Sequence, residues 1–147
     1  MKVVVQRCKK ASCIIDGNVV GKANAGYMLL VGFREGDSLN NIQKMVKKIV
    51  NLRIFEDENG KMNKNIFQID PQGEILSISQ FTLYANTNEG NRPSFVEALN
   101  PSDAKVLYKV FNDALRNEGI HVEEGVFGAD MQIDFVNDGP VTIILEF

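Results

Sequence analysis

The sequence predicts a mixed α/β protein, sheet-dominated, in which a curved antiparallel-rich sheet or barrel is covered by two long helices. Short β-rich stretches recur along the chain, two segments carry apolar residues at helical spacing, and turns rich in Gly and Asn separate them. The chain has 147 residues and no linker or low-complexity tract. We therefore expect a single domain spanning residues 1–147.

The first part of the chain is predicted to form strands. Residues 3–7 and 12–15 are β-rich, and the turn sequence Asp-Gly-Asn follows at 16–18. The continuous apolar run at 27–32 suits a strand that is buried on both faces.

A helix is predicted next, with Asp37 or Ser38 as its cap. Its apolar stripe consists of Leu39, Ile42, Met45, Val46, Ile49 and Val50. Residues 52–55 then return to strand, and Asp-Glu-Asn-Gly at 57–60 indicates a hairpin turn. A calcium loop is the other interpretation of 57–60, but the remaining ligand positions of such a loop are missing.

The second helix is predicted to begin at Asn100-Pro101, after a strand at 73–79, and to end at Gly119. Its apolar stripe consists of Val106, Leu107, Val110, Phe111, Ala114 and Leu115. In the last third of the chain, 131–135 and 141–147 alternate apolar and polar residues. The Asn-Asp-Gly-Pro sequence between them predicts a tight turn and hence a hairpin.

Composition and charge limit the classes of function. No apolar stretch approaches the roughly 20 residues that span a bilayer, and the first residues become charged too early for a signal peptide, so we expect a cytoplasmic protein. A net charge of −3 and a pI of about 5.2 argue against a protein that coats DNA or RNA non-specifically. An enzyme that grips only one end of an RNA remains compatible with this charge.

Basic residues do gather locally in two groups. They are Lys44, Lys47, Lys48 and Arg53, and then Lys61 and Lys64. A solvated helix face with a charged hairpin is one interpretation, and an RNA-facing patch is the other.

Common catalytic sets are absent from the sequence. Cys8 and Cys13 stand apart and are expected to be reduced core or edge residues. The single histidine, His121, has no paired ligand motif, so we expect no metal site. There is no P-loop and no Gly-x-Ser-x-Gly elbow, and one histidine offers little to a Ser-His-Asp or Cys-His triad.

A polar cluster at the end of the 73–79 strand is the remaining candidate site. Ser79 and Thr82 offer hydroxyls, Gln80 offers an amide, and a strand end exposes backbone N–H groups. Such donors can hold a carbonyl oxygen as negative charge develops on it. The alternative is that these residues merely terminate a strand.

Two motifs resemble those of the D-aminoacyl-tRNA deacylase family. Ser-Gln-Phe-Thr-Leu at 79–83 resembles its Ser-Gln-x-Thr-Leu motif, and Asn-Asp-Gly-Pro-Val-Thr at 137–142 resembles its Asn-x-Gly-Pro-Val-Thr motif. Further similar segments follow in the family order and cover essentially the whole chain, at 4–7, 51–55, 60–63, 91–95 and 125–131. One departure is Glu89, which stands where a basic residue is expected before Gly90.

The resemblance implies a proofreading hydrolase that cleaves the ester of D-aminoacyl-tRNA and needs no metal or organic cofactor. It also implies a homodimer in which a cis Gly139-Pro140 peptide enters the active site of the partner subunit. Its backbone would leave no room for an L side chain, whereas a D side chain would point toward solvent. Glycine has no side chain to clash, so glycine wrongly attached to a tRNA such as tRNA(Ala) should also be hydrolysed.

The resemblance also implies roles for particular residues. In the reaction that we favour, the backbone of Ser79, Gln80 and Phe81 would bind the ester carbonyl, and Thr82 would help to shape the pocket. Arg7 would orient the Gly139-Pro140 carbonyls, with Asn137 in the same substrate-binding segment. Phe127 and Met131 would contact the terminal adenosine. For Arg7 the rival interpretation is a surface arginine at a strand end, and for Met131 it is core packing.

The mechanism remains open at this point between two routes. The route we favour uses the adjacent ribose 2′-hydroxyl to help activate water. The other is covalent, through Thr82, but a threonine hydroxyl needs a neighbouring base, and the motif supplies none. Two other functions stay open: a non-catalytic RNA-binding module, and a sister deacylase with a trans Gly-Pro bond that admits some L side chains.

Overall fold

The computed structural model describes residues 1–147, and it confirms the predicted mixed α/β class with eight strands and two α-helices. The helices are α1 (Leu39–Val50) and α2 (Pro101–Asn117). The strands are β1 (Lys2–Ile15), β2 (Asn18–Ala23), β3 (Gly26–Gly32), β4 (Phe55–Glu56), β5 (Met62–Lys64), β6 (Glu74–Ser79), β7 (Val122–Glu124) and β8 (Gln132–Glu146).

β1 lies at the centre of the sheet because its 14 residues pair on both sides. One side pairs with β3 and then β2, the other with β8, and all three pairings are antiparallel. Beyond β3 the sheet continues in parallel through β6 and β7. The sheet curls until β2 meets β7: a Cβ added to Gly21 would lie 2.4 Å from the backbone oxygen of Glu124. The sheet is therefore nearly closed.

Local sequence signals account for both helices. Ser38 precedes α1, and its backbone N–H donates to the side-chain oxygen of Asn41 at 3.1 Å. Asn100 caps α2 by accepting from the backbone N–H of Asp103 at 3.1 Å. Gly119 follows the end of α2 with a φ of +89°, which glycine adopts without strain. The predicted starts of both helices and the predicted end of α2 are confirmed.

Two apolar clusters lie on opposite faces of the sheet. The larger, of 23 buried residues, joins both helices to the side chains of Val3, Val5 and Leu29. The smaller cluster, of 7 buried residues, fills the inside of the curved sheet and includes Cys8 and Cys13. No helix of the structure is both long enough and apolar enough to cross a membrane.

The predicted hairpin at the end of the chain is wrong. β8 runs without reversal from Gln132 to Glu146, and β1 is its partner on both sides of residues 138–141. In the register, Gln6 pairs with Thr142 and Cys8 pairs with Asn137, so residues 138–141 are opposite a single residue of β1. Residues 138–141 therefore form a large bulge in one strand. The Asn-Asp-Gly-Pro sequence predicted a chain reversal. The prediction failed because a local pattern carries no information about the long partner strand.

Smaller corrections concern the ends and faces of elements. The two β-rich stretches at 3–7 and 12–15 belong to the single strand β1, and the strand predicted at 52–55 shrinks to Phe55–Glu56. Leu39 and Val106, placed in apolar stripes, are 59% and 61% exposed, whereas Tyr108 is 3% exposed. An aliphatic stripe places the buried face of a helix only approximately, because an aromatic ring beside it also packs into the core.

The two cysteines are free and buried, which confirms the expectation of reduced core residues. Burial, together with the nearby carboxylate of Asp138, raises the pKa of the Cys8 thiol to about 11. Burial also raises the pKa of Cys13. Because the thiolate is the reactive form, both thiols should be inert in the folded protein.

We predict that neither cysteine of the native protein reacts with a disulfide reagent at pH 8 within an hour. At a pKa of about 11, only about one Cys8 in a thousand is thiolate at that pH, and burial blocks access as well. Both thiols should react within minutes in denaturant, and this sample serves as the control. Rapid labelling of the native protein would contradict the burial of Cys8 and Cys13.

Candidate active site

The polar cluster lies where β6 leaves the sheet. Ser79 is the last residue of β6 and pairs with Val31 of β3. The backbone N–H of Gln80 still donates to the Val31 carbonyl at 2.8 Å, and a short 3-10 helix (Phe81–Tyr84) then begins. The change from strand to helix places Phe81, which is 56% exposed, at the surface next to Ser79.

Gln80 and Thr82 are joined by their side chains. The Gln80 amide Nε2 lies 2.5 Å from the Thr82 hydroxyl oxygen, which accepts its hydrogen bond. This is the only side-chain hydrogen bond of Thr82, so no histidine or carboxylate is in place to remove its proton. His121 is exposed, and its Nε2 lies 3.4 Å from a carboxylate oxygen of Glu123.

An apolar pocket of about 550 Å³ opens beside this cluster. Five of the predicted site residues line it, namely Ser79, Gln80, Phe81, Phe127 and Met131. Their neighbours in the wall, which sequence analysis left unassigned, are Phe33, Phe95, Asn100, Pro101 and Ala104. Met131 also packs against the smaller apolar cluster, so it serves both the pocket and the core.

Two aromatic rings in the wall of the pocket are arranged edge to face. The rings of Phe81 and Phe95 lie 5.0 Å apart at 67°, a geometry that aromatic pairs prefer. On the other side, Phe127 lies 6.0 Å from the ring of Tyr108. The pocket therefore offers flat apolar surfaces on both sides of the polar Ser79–Gln80 edge.

The other predicted residues gather at the bulge of β8. Arg7 is only 5% exposed, and its Nε donates to the Asp138 carbonyl at 3.1 Å. Its Nη1 donates to the Ile54 carbonyl at 2.6 Å. Gly139 has a φ of +126°, and a Cβ there would meet Val141 at 2.8 Å and Arg7 at 3.2 Å, so the backbone and Arg7 are in close contact. The peptide between Gly139 and Pro140 is cis.

Gln6 holds the two ends of the bulge together. Its side-chain oxygen accepts from the Asn137 amide and from the Thr142 hydroxyl, each at 3.1 Å. Asn137 thus acts on the shape of the bulge. Sequence analysis assigned no role to Gln6: the strand register places it opposite Thr142, and its hydrogen bond shows that it also reaches Asn137.

The predicted site residues therefore fall into two groups within one chain. Ser79, Gln80 and Phe81 border the pocket with Phe127 and Met131, and Thr82 lies beside them. The second group comprises Arg7, Asn137, Gly139 and Pro140, none of which lines that pocket. Gly139 and Pro140 are both exposed.

Tyr108 supports the pocket from behind. Its hydroxyl donates to the Ser77 carbonyl at 2.7 Å, and the same carbonyl accepts from the backbone N–H of Gly125 at 3.0 Å. Burial raises the pKa of Tyr108 to about 12, so the hydroxyl keeps its proton at neutral pH. Tyr108 thereby links α2 to the strand that ends in Ser79 and to the loop that carries Phe127.

Comparison with known proteins identifies the family. Residues 4–146 match the model of the family described as D-Tyr-tRNA(Tyr) deacylase. The chain belongs to this family. Relatives named D-aminoacyl-tRNA deacylase are 56% identical in Lactobacillus gasseri and 51% identical in Bacillus cytotoxicus, each over 99% of both chains.

Solved structures show the same fold. A protein titled c-Myc DNA Unwinding Element Binding Protein superposes with a TM-score of 0.92 at 41% identity, over 100% of this chain and 99% of that one. A probable eukaryotic D-amino acid tRNA deacylase superposes with a TM-score of 0.82 over 98% of this chain and 97% of that one. Its identity is 18%, so it supports the deacylase fold alone.

We predict that Tyr108→Phe lowers the free energy of unfolding by about 1 kcal/mol, because it removes the hydrogen bond to Ser77. Urea titration followed by circular dichroism measures the change. Tyr84→Phe is the matched control, since the buried Tyr84 hydroxyl has no partner and its removal should cost nothing. Equal losses of unfolding free energy in the two variants would show that the hydrogen bond of the Tyr108 hydroxyl does not stabilise the fold.

Proposed function

We propose that this protein hydrolyses the ester between a D-amino acid and the 3′ end of a tRNA, and so removes wrongly charged tRNA. The observation that carries the proposal is the Ser79–Phe81 segment at the edge of an apolar pocket, in a chain of the D-Tyr-tRNA(Tyr) deacylase family. A tRNA substrate places its action in the cytoplasm, where charged tRNA is used.

The pocket suits the terminal adenosine of the tRNA. Its volume of about 550 Å³ is in the range of small-molecule sites. Phe127 and Met131 provide apolar contacts on one side, and the rings of Phe81 and Phe95 on the other. Aromatic faces bind nucleobases by stacking, which is worth about 1–3 kcal/mol per base. The adenosine thereby brings its ester to the Ser79–Gln80 edge.

In the proposed reaction, Ser79, Gln80 and Phe81 hold the ester carbonyl while negative charge develops on its oxygen. A water molecule adds to the carbonyl carbon, helped by the ribose 2′-hydroxyl. The bond to the ribose 3′ oxygen breaks, that oxygen takes a proton, and the free D-amino acid and tRNA leave. No step requires a metal or an organic cofactor.

Thr82 has a positioning role in this scheme. Its hydroxyl already accepts a hydrogen bond from Gln80, and no base contacts it. Because an unactivated threonine is a poor nucleophile, these contacts favour the substrate-assisted route over the covalent one.

Selectivity is proposed to come from a second copy of the chain. Gly139 and Pro140 are exposed and lie outside the pocket of their own chain, while Arg7 and Gln6 hold their bulge in shape. In a homodimer this rigid segment would enter the partner subunit's pocket. A fixed backbone excludes an L side chain sterically, which discriminates more strongly than the roughly 1–3 kcal/mol of an added apolar contact.

The competing function is a non-catalytic nucleic-acid-binding module. The relative with 41% identity has a name that describes DNA binding. The polar edge of the pocket favours hydrolysis, because a protein that only binds a nucleic acid needs no carbonyl-binding segment.

We predict that the protein hydrolyses D-aminoacyl-tRNA and glycyl-tRNA(Ala) at rates at least about a hundredfold above that for the matched L-aminoacyl-tRNA. The reason is steric exclusion of the L side chain. Release of labelled amino acid measures all three rates. Gly139→Ala, whose added methyl group would meet Val141 and Arg7, should lower the D rate.

Equal D and L rates for the wild type would reject a proofreading role. Hydrolysis of the D substrate without the glycyl substrate would reject the steric account of selectivity. Absence of all hydrolysis, together with specific DNA binding, would support the non-catalytic module.

We also predict that Thr82→Ala hydrolyses D-aminoacyl-tRNA in a single turnover within about tenfold of the wild-type rate, because Thr82 positions Gln80 and forms no covalent intermediate. Thr87→Ala, in the exposed loop that follows, is the matched control. A fall of about a thousandfold in Thr82→Ala alone would establish the covalent route instead.

A further inference from the structure

A second concave surface, of about 530 Å³, lies at the C-terminal end of α1. Lys44, Lys47, Lys48 and Arg53 line it, and together we call them the basic groove. No Asp or Glu side chain lines it. The three lysines are exposed, and none of them takes part in an ion pair.

The basic groove contrasts with the molecule as a whole, which has a net charge of −3. Basic residues near a helix C-terminus complement the helix dipole, which accounts for Lys47 and Lys48 in the last turn. It does not account for Lys44 one turn earlier, or for Arg53 beyond the helix. Four cations line this surface beside Asn51, Leu52 and Phe147, and none of the four forms an ion pair, which indicates an external anion.

Hydrogen bonds hold the backbone around the basic groove in place. The Arg53 Nε donates to the Asn63 carbonyl at 2.8 Å, which anchors Arg53 to the β4–β5 hairpin. The Asn51 amide donates to the Lys47 carbonyl at 2.8 Å and so closes the end of α1. The charges therefore stand on rigid backbone, although the lysine side chains themselves are free to move.

Two hydrogen bonds connect the groove to the Gly139–Pro140 bulge. Ile54, next to Arg53, accepts from Arg7 through its carbonyl at 2.6 Å. Arg7 in turn donates to the carbonyl of Asp138, the residue before Gly139. The basic groove and the bulge are thus two exposed features of one connected region.

We propose that the basic groove binds the phosphate backbone of the tRNA acceptor stem, on the subunit that supplies Gly139–Pro140 to the site of its partner. This inference rests on the proposed function. Lysines act as mobile point charges toward phosphates, and Arg53, whose Nε and Nη2 are held by Asn63, adds its positive charge and its remaining nitrogen, Nη1. The 3′ end would enter one subunit while the stem crosses the other. Such contacts position the substrate without reading its sequence.

The proposal fixes the expected salt dependence. Neutralising three to four phosphates gives a slope of roughly −3 to −4 in the logarithm of affinity against the logarithm of salt concentration. That slope is moderate, as expected for an acidic protein that grips one end of an RNA.

The test compares two triple variants that remove the same charge. Lys44→Gln with Lys47→Gln and Lys48→Gln alters the groove, and the control replaces Lys10, Lys22 and Lys109, all exposed and outside the groove, with Gln. Each is assayed on D-aminoacyl-tRNA and on D-aminoacyl-adenosine, which has no phosphate. Circular dichroism checks that both variants fold.

We predict that the groove variant raises KM for D-aminoacyl-tRNA about tenfold at 100 mM salt and lessens the salt slope by about two to three, with kcat unchanged. Its activity on D-aminoacyl-adenosine should equal that of the wild type, and the control variant should be unaffected on both substrates.

With an active wild type, two outcomes would reject the proposal that the basic groove binds the acceptor stem. One is equal behaviour of both variants on the tRNA substrate, and the other is equal loss by the groove variant on both substrates, which would place its effect in the active site. If the wild type hydrolyses neither substrate, the proposed function fails, and titration with uncharged tRNA decides the groove separately. Weaker tRNA binding by the groove variant than by the control variant would then support the groove as a tRNA-binding surface. Equal tRNA binding by the two variants would reject it.

Discussion

A buried guanidinium joins three segments that are distant in the sequence. Arg7 belongs to β1, and it donates to carbonyls of Ile54 and Asp138 while its Nε lies 3.3 Å from the Asp138 carboxylate. A charge buried to this extent requires such partners, since an unpaired one would cost several kcal/mol. The Gly139–Pro140 bulge and the chain that follows α1 are consequently held to the same side chain. The proposed selectivity element depends on this anchor, and Arg53 of the basic groove lies one residue before Ile54.

The length of β1 makes that anchor possible. A 14-residue strand pairs with β8 on one side along nearly its whole length, so β8 can expel residues 138–141 without losing its place in the sheet. Gln6 closes the bulge from the same strand. On the far side of the sheet, β6 ends beside the start of α2, and the pocket forms between them. β1 therefore organises the bulge directly. The pocket is built from β6 and α2, which β1 positions only indirectly.

The success of the sequence predictions followed the range of the interactions involved. The starts of both helices and the end of α2 were predicted correctly because Ser38, Asn100 and Gly119 act on their own neighbours. Ser79 was correctly placed at a strand end for the same reason. The hairpin at 137–140 was wrong because a bulge and a turn share the same residues, and only the partner strand distinguishes them. Tyr108 escaped notice because its partner is a backbone carbonyl 31 positions away.

By itself, the sequence determined the fold class, the two helices and the motif segments, all of which depend on residue type, periodicity and short spacing. Only the tertiary structure decided how the site residues are grouped. It placed five of them around one pocket and four around the bulge, and it connected Arg53 to that bulge through Ile54 and Arg7. The physical reason is that these groupings arise from strand register and buried hydrogen bonds between distant segments, which no local pattern encodes.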